Sequence, residues 1–142
     1  MGGLTLTLTG ATQTPEAQPA SRVIYIATVE YQGGGPDLYP SAPPPGPGYQ
    51  LGIQDATGNW TIKTFRWSPG TIVLRQGETV TLDVAGVAGT AHEGVIPGVL
   101  PAFTVTRGQV TQVTLSVATP GIYSLICTRH APMQATVVVL PK

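Results

Sequence analysis

The chain has 142 residues, of which 42% are hydrophobic and 10% are charged. This length and composition indicate one domain with a substantial core and argue against disorder of the chain as a whole. Its seven basic and seven acidic residues cancel and form no basic cluster along the sequence. The charge balance argues against nucleic-acid binding and leaves little long-range attraction for a charged partner.

The N-terminal part of the sequence predicts two strands and then a stiff loop. Residues 4–8 alternate leucine with threonine, as in a half-buried strand, and residues 22–31 form a second β-prone run. Residues 33–48 contain GGGP and PPPGPG. Because proline lacks the amide donor that a central strand needs, this segment is predicted to be a loop or linker with polyproline character. We expect residues 1–58 to form an N-terminal β extension that packs on the rest of the chain.

From Asn59 onward, the β-prone runs have the spacing of a sandwich, and each is bounded by glycine, proline or both. Helical periodicity is absent, and 18 glycines and 14 prolines separate the runs. Strands are predicted near residues 60–66, 71–75, 78–85, 102–106, 109–117, 121–127 and 134–140. The predicted fold class is all-β, a Greek-key β-sandwich with residues 59–142 as its core domain.

Three metal-binding side chains lie within seven residues, at Cys127, His130 and Met133. A thiolate, an imidazole and a thioether suit copper far better than magnesium, calcium or manganese. The second histidine, His92, is predicted at the exit of another strand, and a Greek-key sandwich can bring two strand ends to one pole. Two histidines, one cysteine and a weak methionine make up the ligand set of a blue-copper electron-transfer site.

Other chemistries fit this segment less well. Zinc can bind a cysteine and two histidines tetrahedrally, but structural zinc sites usually have close-spaced ligand pairs on both sides. A Cys–His nucleophile needs an orienting third group and an oxyanion hole, and residues 128–133 supply neither. Taken singly, Cys127, His130 and Met133 have ordinary interpretations: a small buried hydrophobe, a loop histidine and a core filler. Their joint spacing favours a ligand set.

Residues 59–140 resemble a cupredoxin. The loop Cys-x2-His-x2-Met, which begins at Cys127, has the ligand spacing of the amicyanin branch of the type 1 copper proteins. The framework resembles the copper-A domain of cytochrome oxidase subunit II over residues 72–77, over residues 119–127, and at His92 with the Gly/Pro-interrupted strand that follows it. The binuclear site of that domain needs two cysteines, and this chain has one, which leaves a mononuclear site.

The resemblance implies a role for each ligand of one copper ion per chain. His92 and His130 would be the equatorial imidazoles, Cys127 the thiolate and Met133 the axial thioether. No residue would be catalytic.

Two further positions matter in the resemblance. Thr128 matches a hydroxyl residue that braces the two ligand loops. Glu93 is a departure, because many type 1 proteins carry asparagine after the first histidine. Its side chain can accept hydrogen bonds, but its charge would favour Cu(II) and lower the reduction potential.

The family implies a one-electron carrier between redox partners, and no enzyme. Electrons are expected to pass through the edge of His130, inside a small apolar patch. The predicted members of this patch are Ala131, Pro132, Ile96, Pro97, Val99 and Leu100. A cytochrome or a terminal oxidase is a candidate partner, and the protein is expected to be a monomer. Two alternatives stay open: an oxidase-associated copper subunit or docking module, and a copper storage or delivery protein.

The location follows from the resemblance and not from a targeting signal. Met1 is followed by Leu-Thr alternation instead of a charged region and an apolar stretch, so no signal peptide is recognised. No apolar run is long enough to span a membrane. These observations leave open a cytoplasmic protein or one whose leader or anchor was removed. The resemblance implies a periplasmic or other extracytoplasmic location.

Overall fold

Two five-stranded sheets make up the part of the chain that the computed structural model describes, which is residues 21–34 and 49–142. The strands in these ranges are β1 (Arg22–Gly34), β2 (Gln50–Leu51), β3 (Thr61–Ser68), β4 (Thr71–Arg75), β5 (Thr79–Gly86), β6 (Ala91–Ile96), β7 (Leu100–Thr106), β8 (Val110–Ser116), β9 (Gly121–Cys127) and β10 (Gln134–Leu140). Neither range contains a helix, so no described helix could span a membrane.

The strand order is β2-β3-β1-β5-β8 in the first sheet and β4-β10-β9-β6-β7 in the second. The pairs β1–β5 and β10–β4 are parallel, and the other strand pairs are antiparallel. The predicted all-β sandwich is therefore confirmed.

The core lies between the sheets and follows from the alternation of apolar and polar residues along each strand. In β5, Val80, Leu82 and Val84 are fully buried, whereas the residues between them are only partly buried. The aromatic members of the core are Phe65 and Trp67 from β3. Both belong to the first sheet and pack toward the end of the second sheet where β6 begins, as their contacts with His92 show.

The position of His92 relative to the strands differs from the prediction. His92 was predicted at the exit of a strand, but β5 ends at Gly86 and His92 is the second residue of β6. β6 continues through Gly94, but its pairing with β7 shifts register between Gly94 and Ile96, and the strand ends before Pro97. The predicted glycine and proline interruption is therefore present as a register shift and a turn. A Cβ on Gly94 would lie 2.5 Å from the Phe103 ring of β7, so the glycine permits this ring to pack closely against β6.

The predicted N-terminal extension contributes a central strand. β1 runs to Gly34, further than predicted, and is hydrogen-bonded to β3 on one side and to β5 on the other. The strand predicted at residues 4–8 and nearly all of the proline-rich segment lie outside the described residues. The domain boundary after residue 58 stays a prediction.

Candidate metal centre

Three of the four predicted ligands meet at one pole of the sandwich. Cys127 is the last residue of β9, and His130 lies in the loop between β9 and β10. His92 is the second residue of β6, the strand next to β9. The β6–β9 register sets Gly94 opposite Cys127, and His92 lies two residues away on the same buried face of β6. The candidate ligand atoms of the three residues all lie within 4.8 Å of one another.

The separations between these atoms fit a metal ion. The Nδ1 atoms of His92 and His130 are 3.2 Å apart. The Sγ atom of Cys127 lies 3.6 Å from Nδ1 of His130 and 3.9 Å from Nδ1 of His92. Metal bonds of about 2.0–2.1 Å to nitrogen and about 2.3 Å to sulfur span such separations at angles wider than a right angle. A thiolate with two imidazoles is also a donor set that copper prefers.

A hydrogen bond determines which ring nitrogen of His92 faces the triangle formed by the candidate ligand atoms of His92, Cys127 and His130. Nε2 of His92 lies 2.7 Å from the carbonyl oxygen of Ala88. A carbonyl oxygen only accepts, so Nε2 carries the proton and Nδ1 keeps its lone pair. Because His92 is fully buried, this bond fixes both its tautomer and its ring orientation.

Gly89 makes room for the His92 ring. Its φ is +74°, a region that glycine adopts readily, and a Cβ there would lie 2.6 Å from Nε2 of His92 and 3.2 Å from the Phe65 ring. Any larger residue would therefore press on the imidazole.

Aromatic rings of β3 cover the histidines from the first sheet. The centroid of the Phe65 ring lies 4.5 Å from that of His130 and 5.0 Å from that of His92. Trp67 lies edge-on to His92 at 6.2 Å. Phe65 and Trp67 are both buried, so they exclude water from this side of the ligand triangle.

Backbone hydrogen bonds within the loop from Cys127 to Met133 fix its conformation. The amide of Cys127 donates to the carbonyl of Met133 at 2.9 Å, and the amide of Met133 donates to the carbonyl of His130 at 2.9 Å. The Arg66 side chain of β3 donates to the carbonyl of Pro132 and ties this loop to the first sheet. Met133 is fully buried, and its role as axial ligand stays a prediction.

Comparison with known proteins supports the fold. No family model and no curated protein matches this sequence. Among solved structures, the copper nitrite reductase of Nitrosomonas europaea is similar over 87% of this chain and 42% of its own, with a TM-score of 0.56 and 13% identity.

Two more solved structures match about half of the chain. The periplasmic domain of cytochrome oxidase subunit II of Bradyrhizobium japonicum matches over 51% of this chain and 55% of its own, with a TM-score of 0.45 and 18% identity. A reduced amicyanin mutant matches over 52% and 72%, with a TM-score of 0.41 and 25% identity. The chain therefore spans little more than half of that oxidase domain.

The chain has a cupredoxin fold. This assignment depends on the two-sheet architecture and on the nitrite reductase likeness, which at 13% identity concerns the fold alone.

The predicted hydrogen-bond brace from Thr128 is present, and its acceptor is Glu93. The Thr128 hydroxyl donates to Oε1 of Glu93 at 2.8 Å, and the Thr128 amide donates to the Glu93 carbonyl at 3.0 Å. Glu93 therefore accepts twice from the loop that follows Cys127. These two bonds join β6 to the segment between Cys127 and His130.

His130 is the least buried of the three clustered residues. Its pKa is lowered, first because burial disfavours the charged ring, and then because the adjacent His92 imidazole and the cations of Lys63 and Arg129 oppose a positive charge on it. A neutral His130 has a free nitrogen lone pair for a metal ion.

The predicted apolar patch around His130 is partly wrong. Ile96 is fully buried and Leu100 is 7% exposed, because both belong to the core. The β6–β7 turn that contains Pro97 and Val99 lies about 15–20 Å along β6 from His92. Exposed Ala131 and half-buried Pro132 remain beside His130. At this pole the chain also exposes Val87, at 61%.

Sequence reasoning missed the residues that hold the clustered side chains in place. Phe65 and Trp67 fit an ordinary inward-facing strand pattern, and nothing local relates them to the distant ligand loop. Ala88 acts through its backbone, which leaves no side-chain signal. Gly89 is the exception, because a glycine three residues before the first ligand indicates a tight backbone position.

Proposed function

We propose that this protein is a mononuclear type 1 copper protein that carries single electrons between redox partners. The observation that supports it best is the convergence of the Cys127 thiol with the Nδ1 atoms of His92 and His130 at a buried pole. Copper bound there would supply the one-electron couple between Cu(II) and Cu(I).

Four residues would hold this ion. His92, Cys127 and His130 would be the close ligands, and Met133 the weak axial ligand. Each close ligand is fixed by the protein: His92 by the Ala88 carbonyl, and the segment from Cys127 to His130 by Thr128 and the backbone bonds of the loop. Such restraint favours rapid electron transfer, since little rearranges between the two oxidation states.

The electron would enter and leave through the edge of His130. This residue is half-buried, whereas His92 is fully buried and Cys127 is 4% exposed. The small surface formed by Ala131 and Pro132 suits brief contact with a redox protein through an interface at the low end of the size range. In keeping with the family, we place the protein outside the cytoplasm and treat it as a carrier, with no enzymatic activity of its own.

The burial of the ligands favours a carrier over a copper delivery protein. Delivery needs ligands that a receiving protein can reach and exchange, and the Cys127 thiol and the His92 ring are both enclosed.

This distinction can be tested with copper-loaded protein that is reduced with ascorbate, reoxidised, and passed through a desalting column after each step. We expect one copper per chain in both oxidation states and full recovery of the oxidised spectrum. Loss of copper on reduction would contradict the carrier and support delivery.

A further inference from the structure

Thr28 is a polar residue at an inward position of the central strand β1. It follows Ile24 and Ile26 on the same face, and its side chain is fully buried. A buried hydroxyl without partners would destabilise the fold. Here the parallel pairing of β1 with β5 sets Thr28 opposite Gly86, where β5 ends and the segment leading to His92 begins.

Thr28 makes three hydrogen bonds to that segment. Its hydroxyl accepts from the amide of Val87 at 3.0 Å and donates to the carbonyl of Ala88 at 3.2 Å. Its own carbonyl accepts from the amide of Ala88 at 3.0 Å. One residue therefore binds the Val87 amide and both the amide and the carbonyl of Ala88.

The same Ala88 carbonyl accepts from Nε2 of His92 at 2.7 Å. This oxygen therefore has two donors, the Thr28 hydroxyl and the His92 ring. The hydroxyl fixes the carbonyl, and the carbonyl fixes the ring that presents Nδ1 to Cys127.

We propose that Thr28 is a positioning residue for His92: from β1, Thr28 sets the direction of the first proposed ligand. This inference rests on the proposed copper site. The hydrogen bonds that support it join only groups of the protein itself. It also gives β1 a role in the site, although β1 contributes no ligand.

The test compares Thr28→Val, which keeps the shape and removes the hydroxyl, with Thr28→Ser, which keeps the hydroxyl. Thr64→Val is the matched control, because the buried Thr64 hydroxyl makes no hydrogen bond within the described residues. In metal-free protein, NMR would follow the exchange of the His92 Nε2 proton with water. In copper-loaded protein, competition with a chelator would give the dissociation constant.

We expect Thr28→Val to speed proton exchange at Nε2 and to raise the copper dissociation constant. The rise should be smaller than the roughly 10- to 100-fold that is usual when the hydrogen bond to the ligand itself is lost, because the hydroxyl acts through the Ala88 carbonyl. Thr28→Ser and Thr64→Val should stay close to the parent protein in both measurements.

Two results would overturn the proposal: parent-like values for Thr28→Val, or equal losses in Thr28→Ser, which would point to methyl packing. If Thr28→Val does not fold, an unchanged exchange rate in Thr28→Ser still supports the hydroxyl and a faster one opposes it. A parent protein without a blue copper spectrum would defeat the proposed function, whereas the metal-free exchange data would still decide the role of Thr28.

Discussion

At the scale of single residues, the site depends on which imidazole nitrogen donates a hydrogen bond and which faces the other candidate ligand atoms. His92 donates from Nε2 to the Ala88 carbonyl, so that Nδ1 faces the Nδ1 atom of His130 at 3.2 Å. A hydrogen bond to the outer nitrogen of a ligating histidine fixes the tautomer and makes the inner nitrogen more basic. The geometry of the proposed ligands therefore depends on backbone groups of the segment before β6 as well as on the side chains themselves.

Replacing Gly89 by alanine is expected to disturb this arrangement. The positive φ alone should cost roughly 1 kcal/mol or more of stability, and the new methyl group would press on Nε2 of His92 at 2.6 Å. Copper affinity should fall together with stability. Chelator competition and denaturant unfolding measure the two effects.

Gly98→Ala is the matched control for this substitution. Gly98 has a φ of +73°, and a Cβ there would meet nothing within 4 Å. It should lose stability through the backbone and keep its copper affinity. Equal affinities in Gly89→Ala and Gly98→Ala would contradict the contact with His92.

Replacing Glu93 by asparagine is expected to raise the reduction potential of the copper-loaded protein. The negative charge next to His92 favours Cu(II), and asparagine removes this charge; Glu93 keeps its second bond to the loop through its backbone carbonyl, which the substitution does not alter. A charge interaction of about 1 kcal/mol corresponds to roughly 40 mV for a one-electron couple. Voltammetry measures the shift. Glu78→Gln, which removes the same charge from the turn between β4 and β5, should leave the potential nearly unchanged; equal shifts in both variants would refute a local effect.

At the scale of elements, ties between the two sheets hold the sandwich at both poles. At the ligand pole, Arg66 of β3 donates to the Pro132 carbonyl in the loop before β10. At the opposite pole, Arg22 of β1 donates to both oxygens of Glu78, at 3.0 and 3.1 Å, and to the Val73 carbonyl of β4 at 2.8 Å. Glu78 also accepts from the Arg75 amide at 2.9 Å.

The tie between Arg22 and Glu78 predicts a pH-dependent contribution to stability. Burial alone would raise the pKa of Glu78, but the hydrogen bonds and charges of Arg22 and Arg75 lower it below its ordinary value of 4.5. The stabilisation is therefore fully present above the unfolded pKa and is lost as the pH falls through the folded pKa. Glu78→Gln should cost roughly 0.5–1 kcal/mol at neutral pH, and little in acid. Denaturant unfolding of both proteins at the two pH values measures the difference, and a cost that is the same at both would contradict this assignment.

At the scale of the whole molecule, much of the fold could be predicted because alternation is a local signal. The predicted strands from residue 60 onward correspond to β3, β4, β5, β7, β8, β9 and β10. The cluster of Cys127 and His130 was visible in the same way, since only two residues separate them and both side chains must lie at one pole. His92 was found because the chain has only two histidines.

The rest depends on contacts between distant segments, which leave no local pattern. The parallel pairing of β1 with β5 joins residues more than 50 positions apart, so Thr28 resembled an ordinary strand residue. The exposed patch was mispredicted because Ile96 and Leu100 were assigned to a loop, whereas they end β6 and begin β7 and pack in the core.

The copper site itself is tested most directly by the visible spectrum of purified protein after one equivalent of Cu(II), with Cys127→Ser as the control. The proposed site predicts an intense thiolate-to-copper charge-transfer band that saturates at one equivalent, bleaches on reduction and is absent from the variant. A weak, colourless copper complex that is the same in both proteins would contradict the type 1 site.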